Sequence, residues 1–405
     1  MNPERPRLDR LAQYPAILRG GFRPFFLGGA LWALSVLALW IGALTGALSL
    51  PTAFDPLAWH RHEMLFGYLA AVIAGFLLTA IPNWTGRLPV TGGRLAALVG
   101  LWFAARLAVL FSAVVGPWTA FALDVGFLLV LFVVAAREVI AAKNRNFPIV
   151  IVILLLATAS AFDHAEAIGL AVGEGVGWRA GLGLVLALIA LIGGRIIPSF
   201  TRNWLSKQGC ETGLPGQPDR FDKLSLASLA VALIGWVAAP DRSATAALLL
   251  FAAVMHAVRL ARWSGYRTWR DPLVVILHIS YAWLPLGLLL LGVSIVDPAF
   301  PRTSALHALT AGAMASMTLS VMTRATLGHT GRALRADGPT IAIYALVTLG
   351  AALRVAAPLI PFEPMRVIEV AGLLWGGAFL LFVLAYGPKL VGARPDGSKG
   401  RGRIV

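Results

Sequence analysis

Trp59-His60-Arg61-His62-Glu63-Met64-Leu65-Phe66-Gly67-Tyr68-Leu69-Ala70-Ala71-Val72-Ile73-Ala74-Gly75-Phe76-Leu77-Leu78-Thr79-Ala80-Ile81 runs directly into Pro82-Asn83-Trp84-Thr85-Gly86-Arg87. Ionisable residues open the stretch, an unbroken apolar run fills it, and a proline, a tryptophan and an arginine close it. At a rise of ~1.5 Å per residue, a run near 20 residues is what crossing roughly 30 Å of hydrocarbon requires. Such runs recur near 25–47, 57–81, 93–115, 119–141, 147–170, 176–197, 222–239, 244–262, 271–293, 303–322, 339–356 and 366–391. The expected fold is all-α: a polytopic membrane protein of about twelve transmembrane helices. A cytoplasmic N-terminal segment at 1–24, the bundle at 25–391 and a basic cytoplasmic tail at 392–405 are the expected parts.

Composition agrees. Of 405 residues, 58% are hydrophobic and 13% charged, and mean hydropathy is +0.79, whereas soluble chains carry roughly 25% charged residues. The net charge of +15 does not indicate nucleic acid, because its positive residues occupy loops between apolar runs. Alternate segments, 1–23, 82–94, 137–147, 195–223, 259–271, 324–337 and 389–405, hold 27 of the 34 Lys and Arg residues. That bias is the positive-inside signature, with both termini cytoplasmic. The run after the basic N-terminal stretch is too long for a signal-peptide core and reads as an uncleaved first helix. One cysteine, Cys210, excludes an intramolecular disulfide and reads as a spectator in a cytoplasmic loop.

Landmarks repeat. Ile81-Pro82-Asn83-Trp84-Thr85 is echoed by Ile197-Pro198-Ser199-Phe200-Thr201, and Thr85-Gly86-Arg87 by Thr330-Gly331-Arg332. His62 and His307 precede these Thr-Gly-Arg sites by equal counts, and each precedes a glycine, Gly67 or Gly312, by five residues. Helices 2, 6 and 10 therefore carry the echoes, a period of four helices. A six-plus-six division competes with it, favoured by the long polar loop at 198–221.

Seven histidines are the most informative ionisable set. His60 and His62 open helix 2 near the outer face, and His307 opens helix 10 at similar depth. His164 ends helix 5 outside. His256 and His278 lie about 10 Å inside the cytoplasmic boundary, and His329 is expected in the following cytoplasmic loop. Imidazole suits both haem iron and copper, so His62 and His307 are candidate axial ligands of one haem. Gly67 and Gly312 would thin the helices for a flat macrocycle. His60 is the alternative on helix 2; two residues apart, it and His62 differ by about 200° around a helix. Arg61 and Arg302 are candidates to pair with haem carboxylates or to anchor at the headgroups. His256, His278 and His329 form a candidate second metal group, against the alternative of structural hydrogen bonds. Met314, Met317 and Met322 favour packing over copper(I). Gly21-Phe22-Arg23-Pro24-Phe25-Phe26 is expected to anchor helix 1 at the interface. Asp124, Glu63 and Glu369 read as acids near outer helix ends, and Arg106 lies within helix 3. Walker, Rossmann and CxxCH patterns are missing from the sequence, so any haem is non-covalent.

The motif from Trp59 to Gly67, Gly75 to Arg87, Gly21 to Phe26, Gly194-Arg195-Ile196-Ile197-Pro198 with Thr201-Arg202-Asn203, His307 to Met314 and Met322 to Arg332 together resemble the NnrS family of bacterial inner-membrane proteins, across essentially the whole chain. The resemblance implies a haem- and copper-containing protein of nitric oxide metabolism or nitrosative stress protection, often beside denitrification. Nitric oxide or a nitrosyl species and the lipid bilayer are the implied partners, and the electron donor and the reaction stay open. Twelve helices in three groups of four also resemble haem–copper oxidase catalytic subunits. Those carry copper histidines on helices 6 and 7, where this sequence has none. A metal-free secondary transporter and a membrane nitric oxide sensor or metal-delivery protein are the rival readings.

Overall fold

The computed structural model describes residues 13–395; the parts of the expected N-terminal segment and basic tail at 1–12 and 396–405 lie outside the described residues. Among the described residues, twelve helices are long and apolar enough to cross a membrane, and there is no strand. They are α1 (Phe22–Leu44), α2 (Pro56–Thr85), α3 (Gly92–Leu110), α4 (Pro117–Ala141), α5 (Phe147–Ala167), α6 (Val176–Lys207), α7 (Arg220–Ala238), α8 (Ser243–Ala261), α9 (Pro272–Val296), α10 (Arg302–His329), α11 (Gly338–Leu359) and α12 (Pro364–Val391).

Three helices outrun their apolar stretches. Pro82 and Pro198 lie inside α2 and α6, α6 continues to Lys207, and His329 is the last residue of α10 rather than part of a loop. Polar side chains near these ends satisfy themselves on the helix. Thr85 donates to the Ile81 carbonyl at 2.8 Å, Thr201 to Ile197 at 2.9 Å and Thr326 to Met322 at 2.6 Å. Hydropathy therefore falls before the helix stops.

The Gly21 to Phe26 motif also behaves differently from an interface anchor. Phe25 and Phe26 are fully buried, with Phe25 against Trp102 and Phe127. Arg23 donates to the carbonyls of Leu390 at 2.6 Å and Gly392 at 2.8 Å. Those carbonyls lie at the C-terminal end of α12, where intrahelical donors run out and the helix dipole is negative. Arg23 thus ties α1 to α12.

Packing repeats every four helices. α1 packs on α2, α5 on α6 and α9 on α10; α4 packs on α5, α8 on α9 and α12 on α1, which closes the ring. α2 touches α6, α6 touches α10, and Tyr68 of α2 hydrogen-bonds Thr318 of α10. α2 and α10 are the most enclosed of the twelve. These contacts are in keeping with a period of four helices.

One irregularity recurs in register. Both α2 and α10 contain a π-helical turn, at Glu63–Tyr68 and at Ala308–Met314. Each begins on the residue after its histidine, His62 or His307. Such turns are rare and concentrate at functional sites. The glycines within them make room for protein side chains rather than for a macrocycle. A Cβ on Gly67 would lie 2.4 Å from Glu63 Oε2 and 2.7 Å from an Arg106 nitrogen, and one on Gly312 would lie 2.6 Å from the Trp283 ring.

Candidate metal centre

The start of α2, the end of α3, the start of α4 and the end of α5 meet at one face of the bundle. Alternating helix direction brings these ends together, and each contributes ionisable side chains about 5–10 Å in from its helix end. Arg106 of α3 stands at the middle. It donates to both Glu63 oxygens at 2.8 Å and to Asp124 Oδ1. The Trp32 indole donates to Glu63 Oε2 at 2.5 Å. Arg106, Glu63 and Asp124 are all buried completely. Charges in such surroundings persist only when paired and hydrogen-bonded, which is what Arg106 does for two carboxylates at once.

Asp124 offers its second oxygen to the other side. Oδ2 lies 3.1 Å from His62 Nε2 and 3.2 Å from His164 Nε2, and accepts from Ser160 at 2.6 Å. His62 Nδ1 lies 2.8 Å from Asp163 Oδ2. The ligand atoms of His62, Asp124 and His164 all fall within 4.8 Å of one another, the one such group of three among the described residues. Phenylalanine rings wall it: Phe54 stands 4.9 Å from the His62 ring and 5.1 Å from that of His164, and Phe66 and Phe121 complete the enclosure.

His60 looks elsewhere. Its ring stacks on Trp40 at 4.9 Å and 20°, and His307, Arg354 and Arg61 act on it through space. Its Nδ1 is enclosed without a hydrogen-bond partner, as are Arg354 NH1 and Arg61 Nε. His307 Nδ1 donates to the Thr303 carbonyl at 2.7 Å. A carbonyl only accepts, so Nδ1 carries the proton and Nε2 keeps its lone pair, the form in which an imidazole ligates. Of the two α2 histidines, His60 has a ring nitrogen without a partner, whereas both nitrogens of His62 face carboxylates.

The remaining candidates separate. His256 donates from Nε2 to the Ser225 carbonyl at 3.0 Å, and its Nδ1 lies 2.7 Å from the Tyr281 hydroxyl. Both ring nitrogens are thus engaged. Tyr281 also accepts from Arg259, which pairs with Asp222 at 2.8 Å and fills the space Gly194 leaves open. His278 Nε2 lies 2.8 Å from Thr201 Oγ1, and its Nδ1 faces Gly265. His329 lies against the Phe22 ring, 5.5 Å away, at the α1 side of the bundle. Arg302 pairs with Asp241 at 2.7 Å in an exposed position, and Arg61 stacks over Trp178 at 4.7 Å. Met314, Met317 and Met322 are buried core residues.

Outside the spans, Asp219 caps α7 and forms a reciprocal capping box with Asp222. The Arg262 guanidinium, hydrogen-bonded to it, and the Asp222 backbone N–H hold the Asp219 carboxyl well below the usual range.

Glu63, Arg106, Asp124 and His164 stand out singly in the sequence but not as one constellation, and Asp163 and Ser160 do not stand out there. The available signal was depth: each sits within about two turns of a helix end on the same face.

Twelve apolar helices define a multi-pass membrane protein, and His62, Asp124 and His164 form a candidate His/Asp metal group beside the buried Arg106 network. The chain belongs to the NnrS protein family, whose model matches residues 16–394. Membership makes it a nitric oxide-related membrane protein. No curated protein matches the chain.

Proposed function

We propose that the protein is a haem- and copper-containing protein of the bacterial inner membrane that acts on nitric oxide or a nitrosyl species, with haem held between α2 and α10 by His60 and His307. The observation that carries the reading is a pair of imidazoles on the two most enclosed helices, each with a nitrogen free to ligate. The donor set fits the group: nitrogen ligands for iron, and an unpartnered guanidinium nitrogen on Arg354 for carboxylates. Bound there, haem iron would supply the ligand-binding and redox chemistry that nitric oxide calls for.

The chain's own contribution is positioning. Thr303 fixes the His307 tautomer and ring direction, Trp40 fixes the plane of His60, and the paired π turns set the two helix starts in matching conformations. The distribution of 27 of 34 basic residues over alternate segments supports cytoplasmic termini and a centre that faces the periplasm.

Alanine variants test it. His60→Ala and His307→Ala are expected to lose haem or change its coordination, whereas Arg302→Ala keeps it. Wild-type haem content and an unshifted spectrum in both histidine variants would refute the pairing.

A further inference from the structure

The cluster on the opposite face of α2 from His60 is independent of the haem reading. It contains three carboxylates, Glu63, Asp124 and Asp163, and one fully buried guanidinium, Arg106. Arg61, further out, is shared among Asp163, Glu166 and Asp55. With neutral histidines the four groups sum to two negative charges in a site enclosed by Phe54, Phe66 and Phe121. Isolated charge in such surroundings is too costly to persist, so two positive charges belong here.

We infer that His62 Nε2, His164 Nε2 and Asp124 Oδ2 bind one divalent first-row transition metal ion. One dication cancels the two negative charges. Around these three atoms the neighbours stand where a metal's supporting groups stand. Asp163 accepts from His62 Nδ1 at 2.8 Å, which leaves Nε2 as the ligating nitrogen. Arg106 takes Asp124 Oδ1, and Ser160 donates to Oδ2 at 2.6 Å, so the carboxylate presents one oxygen to the centre. Glu63 holds Arg106 in turn at 2.8 Å. Two imidazoles and a carboxylate form a borderline-to-hard donor set, suited to iron(II), zinc(II) or copper(II) rather than copper(I). Three protein ligands leave a coordination position open, the pattern of a reactive rather than a structural ion. His60 and His62, about 200° apart on α2, would then serve two different centres.

The alternative to a metal is a pair of extra protons shared among these side chains. Metal analysis of detergent-purified protein separates the two. Wild type is expected to carry one equivalent of a divalent first-row metal beyond its haem iron, which is quantified separately from the haem content, and His60→Ala to retain that non-haem equivalent. His62→Ala, His164→Ala and Asp124→Asn are each expected to lose it while keeping their helical circular dichroism. Should His62→Ala fail to fold, Asp163→Asn serves in its place. That change leaves all three ligands present and is expected to weaken retention against a competing chelator by roughly 10- to 100-fold. Wild type free of such metal, or folded variants with undiminished content, would overturn the inference.

Discussion

Replacing Arg106 by methionine removes the one cation that serves both Glu63 and Asp124. Its NH1 contacts both Glu63 oxygens at 2.8 Å, and NH2 reaches Asp124 Oδ1. All three groups are completely buried, so water cannot take the guanidinium's place. Removing one partner of a buried ion pair costs about 3–5 kcal/mol, and two carboxylates lose theirs at once, which argues for the upper part of that range. Methionine nearly matches the volume, so cavity formation is a minor contributor. Denaturant titration in micelles, followed by tryptophan fluorescence, reads the loss, since Trp32 and Trp102 adjoin the network. Adding Glu63→Gln to Arg106→Met is expected to recover part of it, a coupling of about 1–3 kcal/mol between neighbours in one network. A loss below about 1 kcal/mol for Arg106→Met would show that the guanidinium is solvated rather than buried between two carboxylates, because a solvated arginine contributes no more than that.

Gly177 lets α6 approach α5 so closely that an added Cβ would lie 2.3 Å from the Asp163 backbone nitrogen and 2.8 Å from the Ala159 carbonyl. Backbone cannot swing aside, so Gly177→Ala should cost about 1–3 kcal/mol and lower the metal retention tested above. The depressed Asp219 carboxyl supports α7 above its unfolded value of ~3.9, and that support fades as pH falls through the lower folded value. The stability gap between wild type and Asp219→Asn should therefore be constant near neutrality and close only in strong acid; a gap that closes between pH 6 and 5 would contradict it. Reporter fusions after residues 50, 175 and 300 should read as periplasmic and those after 90, 210 and 330 as cytoplasmic. A cytoplasmic reading at 175 would break the assigned orientation.

The helices were legible because an apolar run is a one-dimensional signal: each expected span has its counterpart. Their partners were not, because partnership depends on how each helix is rotated. Arg23 reads locally as an interface residue, yet its acceptors lie at Leu390 and Gly392. Arg106, Glu63 and Asp124 come from three helices, and only their shared depth hinted at a meeting. The matched spacing of His62 and His307 did mark equivalent positions, since a π turn starts directly after each. Equivalence within a repeat does not mean facing one another. His62 turns toward α4 and α5, and His60 shares the surroundings of His307. No sequence pattern announces a π turn, and the turn is what departs from the regular helix at this point.

Optical and electron paramagnetic resonance spectra of the purified wild-type protein decide whether His60 and His307 would together hold a haem. Two neutral imidazoles predict a Soret band and a six-coordinate, low-spin ferric signal. A colourless preparation, or haem present only in a high-spin, five-coordinate state, would contradict the assignment of His60 and His307.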